Sequence, residues 1–298
     1  MKTGHPIYHG KTLLFGEYTI IVGSEALVVP LRRFSAFWMQ ADPKNQTHVR
    51  LQSDLKQYIL HIESNKDLHQ LLDYKALIHA FDEAWFVYSD IPQGYGAGSS
   101  GALVANLFSR FGYRSETEDL EALRQKLSKL EAYFHGNSSG LDPLACYLGK
   151  PLYVSSGEIR ETSVSNLPEL EIYLLDTGLQ SPTAPLVGYF KEQLLKYSFY
   201  KKLNTKLLPF VQSGINALLQ HDALQLKTAM AGISAFQYEH FTPMIPEHML
   251  QYWKNGLDRG EYLFKLCGSG GGGFMLVFSF AEATNAESIF GLPAFRIL

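Results

Sequence analysis

Between residues 91 and 106 the chain reads IPQGYGAGSSGALVAN, with Gly94, Gly96 and Gly98 on alternate positions. Glycine loses more backbone freedom on folding than any other residue, so this density must be offset by something that approaches the backbone closely. A loop that enters a helix offers amide N–H groups without intrahelical partners and the partial positive charge of the first turn. Small residues, here the three glycines and Ala97, let a phosphate chain reach such amides. Ser99 and Ser100, followed by Gly101, fall where the helix should begin. They allow two readings: a helix cap, or hydroxyls aimed at a phosphate oxygen or Mg²⁺. The spacing matches neither G-x-G-x-x-G after a first strand nor G-x-x-x-x-G-K-[ST], which excludes a P-loop. A second run, Gly270 to Gly273, lies between two apolar segments. A hairpin turn needs fewer glycines, so close approach of a ligand or of another backbone is expected there.

The elements that must carry these loops are partly readable. KTLLFGEYTIIVGSEALVVPL (11–31) reads as apolar strands interrupted at Gly16 and Gly23, and RRFSAFWMQA, HVRLQS and YILHIES read as short β-favouring runs. A strand-rich opening of roughly a hundred residues is therefore expected, a usual domain length. A helix over 75–87 leads into a strand near WFVYSD. Leu103, Val104, Leu107 and Phe108 give SSGALVANLFSRFG a helical spacing that Gly112 can end. EDLEALRQKLSKLEAYFHG is amphipathic, with Leu120, Leu123, Leu127 and Leu130 on one face. The polar stretch SSGEIRETSVSNLPEL places a domain boundary at 162/163. Beyond it come a strand at EIYLLDTG, helices between 184 and 257, two strands around the second glycine run, and a last strand at FRIL. No repeat of fixed period is present. Strands, then helices, then a mixture make the expected fold class α+β.

With 298 residues, 46% hydrophobic and 18% charged, the chain has the composition of a globular protein rather than a disordered one. A net charge of −3 gives no basic field for nucleic acid. Two lone cysteines, Cys146 and Cys267, make neither a disulfide framework nor a zinc site and point to a reducing cytoplasm. The opening MKTGHPIYHGK lacks the apolar core of a secretory signal, and no stretch has the apolar length of a membrane helix. A cytoplasmic location without a membrane partner is expected.

Three ordered segments then resemble one family. GKTLLFGEYTIIVGSEAL is similar to the first motif of the GHMP kinases, PQGYGAGSSGA to their phosphate-binding motif P-x-G-x-G-L-G-S-S-A, and KLCGSGGGGFMLVF to their third motif G-x-G-G-G-G. Within that superfamily the mevalonate kinases are most similar: EAYFHGNSSGLDPLACYLG resembles their E-x-x-x-H-G-x-P-S-G-x-D segment through Glu131, His135, Gly136, Ser139, Gly140 and Asp142. DTGLQSPTAPLVGYF resembles their segment with a threonine near the substrate, Thr183 here. Two departures matter. Tyr18 follows Gly16-Glu17 where G-E-H is usual, beside the expected substrate pocket. Ser138 replaces the proline, which reads as a local backbone matter.

The resemblance implies a two-domain fold, 1–162 an ATP-binding N-terminal domain and 163–298 a C-terminal domain, with the active site in the cleft between them. It implies transfer of the γ-phosphoryl of ATP to a substrate hydroxyl, a reaction that rests on positioning and charge neutralisation. The acceptor it implies is mevalonate, with phosphomevalonate or another small alcohol of the superfamily as the alternative. Gly94 to Gly101 would hold the triphosphate, and Ser100 and Glu131 would ligate Mg²⁺. Asp142 would be the general base, with a helix cap before Pro143 as its plain alternative. Lys11 would lie beside Asp142, keep it ionised and stabilise the transferring group. Glu17, Tyr18, Thr183, Gly271 and Gly272 would line the acceptor pocket. ATP and the acceptor alcohol are the expected partners; a homodimer is one assembly the resemblance admits. A non-catalytic sensor of the same fold would have lost the base, the lysine or the metal ligand, and all three are present.

Overall fold

In the computed structural model, which describes residues 6–115, 117–180, 183–281 and 286–298, strand β1 (Tyr8–Phe15) stops at Gly16 and a 3-10 turn follows at Thr19–Val22. Strand β2 (Ala26–Gln40) is next. By internal contacts the chain divides into two units that interleave along the sequence. One holds Met1–Lys11, Pro30–Pro92 and Gly98–Lys150; the other holds Thr12–Val29, Gln93–Ala97 and Pro151–Leu298. This partition differs from the one drawn at 162/163. Composition marks a polar stretch, whereas pairing partners decide which segments pack together.

Where strands were expected at HVRLQS and YILHIES, the first unit has helix α1 (Gln46–Ser64). Two causes override the β-favouring composition. Asn45 caps the helix, its side chain accepting from the N–H groups of Thr47 and His48. Leu55, Tyr58, Ile59 and Ile62 then fall on one buried helical stripe. The opening is accordingly more helical than strand-rich. It continues with α2 (Lys66–His69), α3 (Tyr74–Asp82), β3 (Trp85–Ser89), α4 (Ser99–Phe111), α5 (Leu120–His135) and α6 (Leu141–Leu148). β3 pairs antiparallel with residues 36–40 of β2. Asn106 fixes α4 to that strand. It is fully buried, its side-chain amide donates to the carbonyls of Ala36 and Ala102, and its main-chain carbonyl accepts from Trp38 Nε1 at 3.1 Å. Such bonds contribute about 1 kcal/mol each. Tyr58 hydroxyl donates to Leu130 O at 2.7 Å and ties α1 to α5.

In the second unit, residues 26–28 of β2 pair with β4 (Leu152–Ser155), which pairs with β5 (Glu158–Glu161). A separate antiparallel sheet is built from β6 (Glu171–Asp176), β7 (Tyr262–Leu266), β8 (Phe274–Ser279) and β9 (Ala294–Arg296), in the order β7-β8-β6-β9. Its helices are α7 (Thr183–Leu194), α8 (Tyr197–Lys202), α9 (Leu208–Leu219), α10 (Ala223–His240), α11 (Leu250–Arg259) and α12 (Ala286–Phe290). Every residue of β7 and β8 is buried, so both strands read as continuous apolar runs. One of those buried residues is a lysine, Lys265. Among the described residues, no helix is long and apolar enough to cross a membrane.

Candidate active site

Lys11 lies in β1 with only 4% of its surface exposed. A buried ammonium needs a counter-charge, and Asp142 supplies it, with Nζ to Oδ2 at 2.7 Å. Gly140, at φ 72°, is the N-cap of α6, so Asp142 lies inside the first turn and is not the cap. The capping explanation fails for a simple reason: the helix starts at Leu141, ahead of both Asp142 and Pro143. A carboxylate in a first turn is favoured by the helix dipole. The Asp142 side chain keeps 34% exposure, open to a reacting group.

Gly94, Gly96 and Gly98 all hold left-handed backbone, φ 77°, 72° and 79°, which accounts for their alternation without any ligand. Space is the second reason. A Cβ on Gly98 would meet Lys11 Cγ at 2.9 Å, and one on Gly101 would meet the Asp142 carbonyl carbon at 2.9 Å. A methyl group at 101 would press on the peptide that joins Asp142 to Pro143. Gly98 is the N-cap of α4 and no side chain caps that helix, so Ser99 and Ser100 do not act as caps. Ser100 instead donates its hydroxyl to Glu131 Oε1 at 3.0 Å.

Glu131 is 3% exposed and not on a solvated helix face. Its Oε2 accepts from Ser138 Oγ, which itself accepts from Gly140 N–H at 2.9 Å. Ser138 thus links this carboxylate to the cap of α6, a task that proline could not do. The substitution is more than a local backbone matter, and nothing short of the folded contact announces it. Burial, and then the Asp142 charge, push the Glu131 carboxyl up to about 7. Burial likewise pushes the Cys146 thiol up; its sulfur lies 3.8 Å from Gly98 O. Among the described residues no group of three or more His, Cys, Asp or Glu side chains could hold a metal alone. Ser100 and Glu131 are hard oxygen donors, which suits Mg²⁺ shared with phosphates and water rather than zinc.

One consequence concerns pH. Without metal, native Glu131 keeps its proton to higher pH than the unfolded chain does. The resulting stability is full below about 4.5 and is lost as pH rises through about 7. Urea unfolding in chelator should show this decline in the wild type and much less of it in Glu131→Gln. Equal pH slopes for the two proteins would refute it.

Gly94, Gly96, Ala97, Glu17, Tyr18, Gly271 and Gly272 belong to the second unit. There the glycines meet other backbone. A Cβ on Gly96 would lie 3.2 Å from Cys267 O, one on Gly268 3.1 Å from Gly96 Cα, and one on Gly273 2.6 Å from Tyr95 Cα. Gly271 N–H donates to Met244 O at 2.5 Å, and a Cβ on Gly272 would meet Leu179 O at 2.8 Å. Of the two explanations left open for the second run, contact with another backbone is the one seen. Glu17 is buried against Lys265, and Tyr18 hydroxyl donates to Ser269 O at 2.6 Å. Lys265 was missed in the sequence, although a lysine inside the apolar run YLFKLCG signals a buried partner. Thr183 opens α7, but its side chain lies outside the described residues, as does that of His135.

Residues 61–150 match the model for the GHMP kinases N terminal domain. Mevalonate kinase of Pyrococcus furiosus is 24% identical over 230 residues, 68% of this chain and 64% of that protein. The Homo sapiens mevalonate kinase is 32% identical over 127 residues, 37% of this chain and 32% of that protein. The chain thus spans about 64% of the length of the first curated relatives it matches. Among solved structures, L. major mevalonate kinase in complex with R-mevalonate superposes with TM-score 0.62 at 19% identity, covering 97% of this chain and 90% of that one. Streptococcus pneumoniae phosphomevalonate kinase in complex with phosphomevalonate and AMPPNP gives TM-score 0.67 at 16% identity, covering 98% and 99%.

Proposed function

We propose that this chain, whose residues 61–150 match the GHMP kinase N-terminal domain and whose fold is shared with kinases of that superfamily, is an ATP-dependent kinase that phosphorylates a small alcohol. The acceptor is mevalonate and the product 5-phosphomevalonate, a step of isoprenoid precursor synthesis in the cytoplasm. The observation that carries the reading is the Lys11–Asp142 pair lying directly over Gly98 and Gly101 of the glycine loop.

In this reading Gly94, Gly96, Ala97, Gly98, Ser99, Ser100 and Gly101 present backbone amides to the triphosphate. Ser100 and Glu131 would hold Mg²⁺, whose charge would offset that of the phosphates. The Asp142 carboxylate accepts the proton of the acceptor hydroxyl as that oxygen attacks the γ-phosphorus and the bond from that phosphorus to the ADP oxygen breaks, releasing ADP. Lys11 pairs with the Asp142 carboxylate and offsets negative charge on the transferring group. Thr183, Gly271 and Gly272 remain the acceptor-side candidates.

The test is ADP release against a panel of acceptors. Mevalonate should support it and galactose should not. Release with 5-phosphomevalonate alone would move the acceptor one step along. Release with none of them, in a protein that binds ATP, would overturn the reading.

A further inference from the structure

Lys265 is 1% exposed, in a strand whose every residue is buried. Its ammonium meets the Glu17 carboxylate and donates to Leu266 O at 2.9 Å. Desolvation of two charges this deep cancels most of their attraction, so an apolar pair would serve stability equally well. What the ion pair adds is direction: it accepts only one placement of the two segments. Two further links run beside it. Thr12 Oγ1 lies 3.3 Å from Cys267 Sγ, and Tyr18 hydroxyl reaches Ser269 O. Tyr18 holds φ 63°, a conformation that costs an aromatic residue free energy and persists only where the surroundings enforce it. Its ring is enforced by Phe190 and Phe241, with centroids 4.7 and 5.7 Å away. Residues 12–18 are therefore clasped to residues 265–269 by side-chain contacts at Thr12, Glu17 and Tyr18, and Lys265 Nζ also donates to Leu13 O at 3.4 Å. The backbone so fixed, Cys267–Gly268, is the surface on which Gly96 rests.

We propose that Glu17, Lys265 and Tyr18 are positioning residues: they hold the Cys267–Gly268 backbone at the height that places Gly96, and hence the phosphate loop, for nucleotide. The inference rests on the nucleotide-binding reading of that loop. It moves Glu17 and Tyr18 from the acceptor pocket to the support of the glycine loop.

The experiment pairs urea unfolding with calorimetric binding of AMPPNP and Mg²⁺ to the full chain. Lys265→Met alone removes the ammonium that faces the buried Glu17 carboxylate, and stability should drop sharply. The double variant Glu17→Gln with Lys265→Met leaves no unpaired buried charge, so stability should return close to wild type. AMPPNP affinity should nevertheless stay roughly tenfold to a hundredfold weaker, the loss that a displaced binding element produces. Tyr18→Phe keeps the ring packing, removes only the hydrogen bond to Ser269, and should weaken AMPPNP without unfolding the protein. Wild-type affinity in Tyr18→Phe, or affinity that recovers together with stability in the double variant, would overturn the clasp while leaving the kinase reading intact. A wild type that binds no AMPPNP would overturn the nucleotide reading and the clasp with it.

Discussion

Asp142→Asn should lower turnover by roughly 10²–10⁴-fold, the range that general-base catalysis supplies. Asparagine keeps an oxygen for Lys11 and the shape of the α6 first turn, but it cannot accept a proton. The lost charge also leaves the Lys11 ammonium with a weaker partner, so some stability should go as well. Activity is therefore compared well below the unfolding temperature. Lys11→Met is the complementary change. Methionine keeps an apolar stem over Gly98, and Asp142, one-third exposed, can turn to water. Its stability loss should be small and its turnover loss large, with ATP binding only modestly weakened. If the pair acts as one unit, the double variant should be little worse than the poorer single variant. A folded Asp142→Asn protein with near-normal turnover would remove Asp142 as the base.

Gly98→Ala should cost roughly a hundredfold in kcat/KM, the size expected when reacting groups are displaced by about an ångström. Two effects combine there. Backbone at φ 79° disfavours any side chain, and the new Cβ would meet Lys11 Cγ at 2.9 Å and its Cε at 3.1 Å. The first effect alone can be measured at Gly157, which has φ 82° and nothing within 4 Å of an added Cβ. Gly157→Ala should lose comparable stability, about 1–3 kcal/mol, and keep its kinetics. If Gly98→Ala resembles Gly157→Ala in kinetics, then Gly98 serves backbone conformation only and Lys11 does not depend on it.

Several features of this chain were written locally and could be read as such. The alternating glycines are glycines because alternate backbone positions turn left-handed, a property of each residue's own φ. The helices α4 and α5 follow from apolar periodicity inside their own stretches. Glu131 and Asp142 lie in one short segment around the α5–α6 connection, so the resemblance of that segment named both. Other features are the result of tertiary structure alone. HVRLQS and YILHIES favour strand by composition, yet burial of Leu55, Tyr58, Ile59 and Ile62 in the folded chain makes them helix. The units interleave because β1, β2 and the glycine loop each pass from one to the other, which no composition shift marks. Ser138 supports Glu131 across the end of α5, and Glu17 meets Lys265 from the opposite end of the chain. Backbone conformation and helical stripes depend on neighbours within a turn or two, so sequence carries them. The partner of a buried charge is chosen by whatever packing brings beside it, and that choice exists only once the chain has folded.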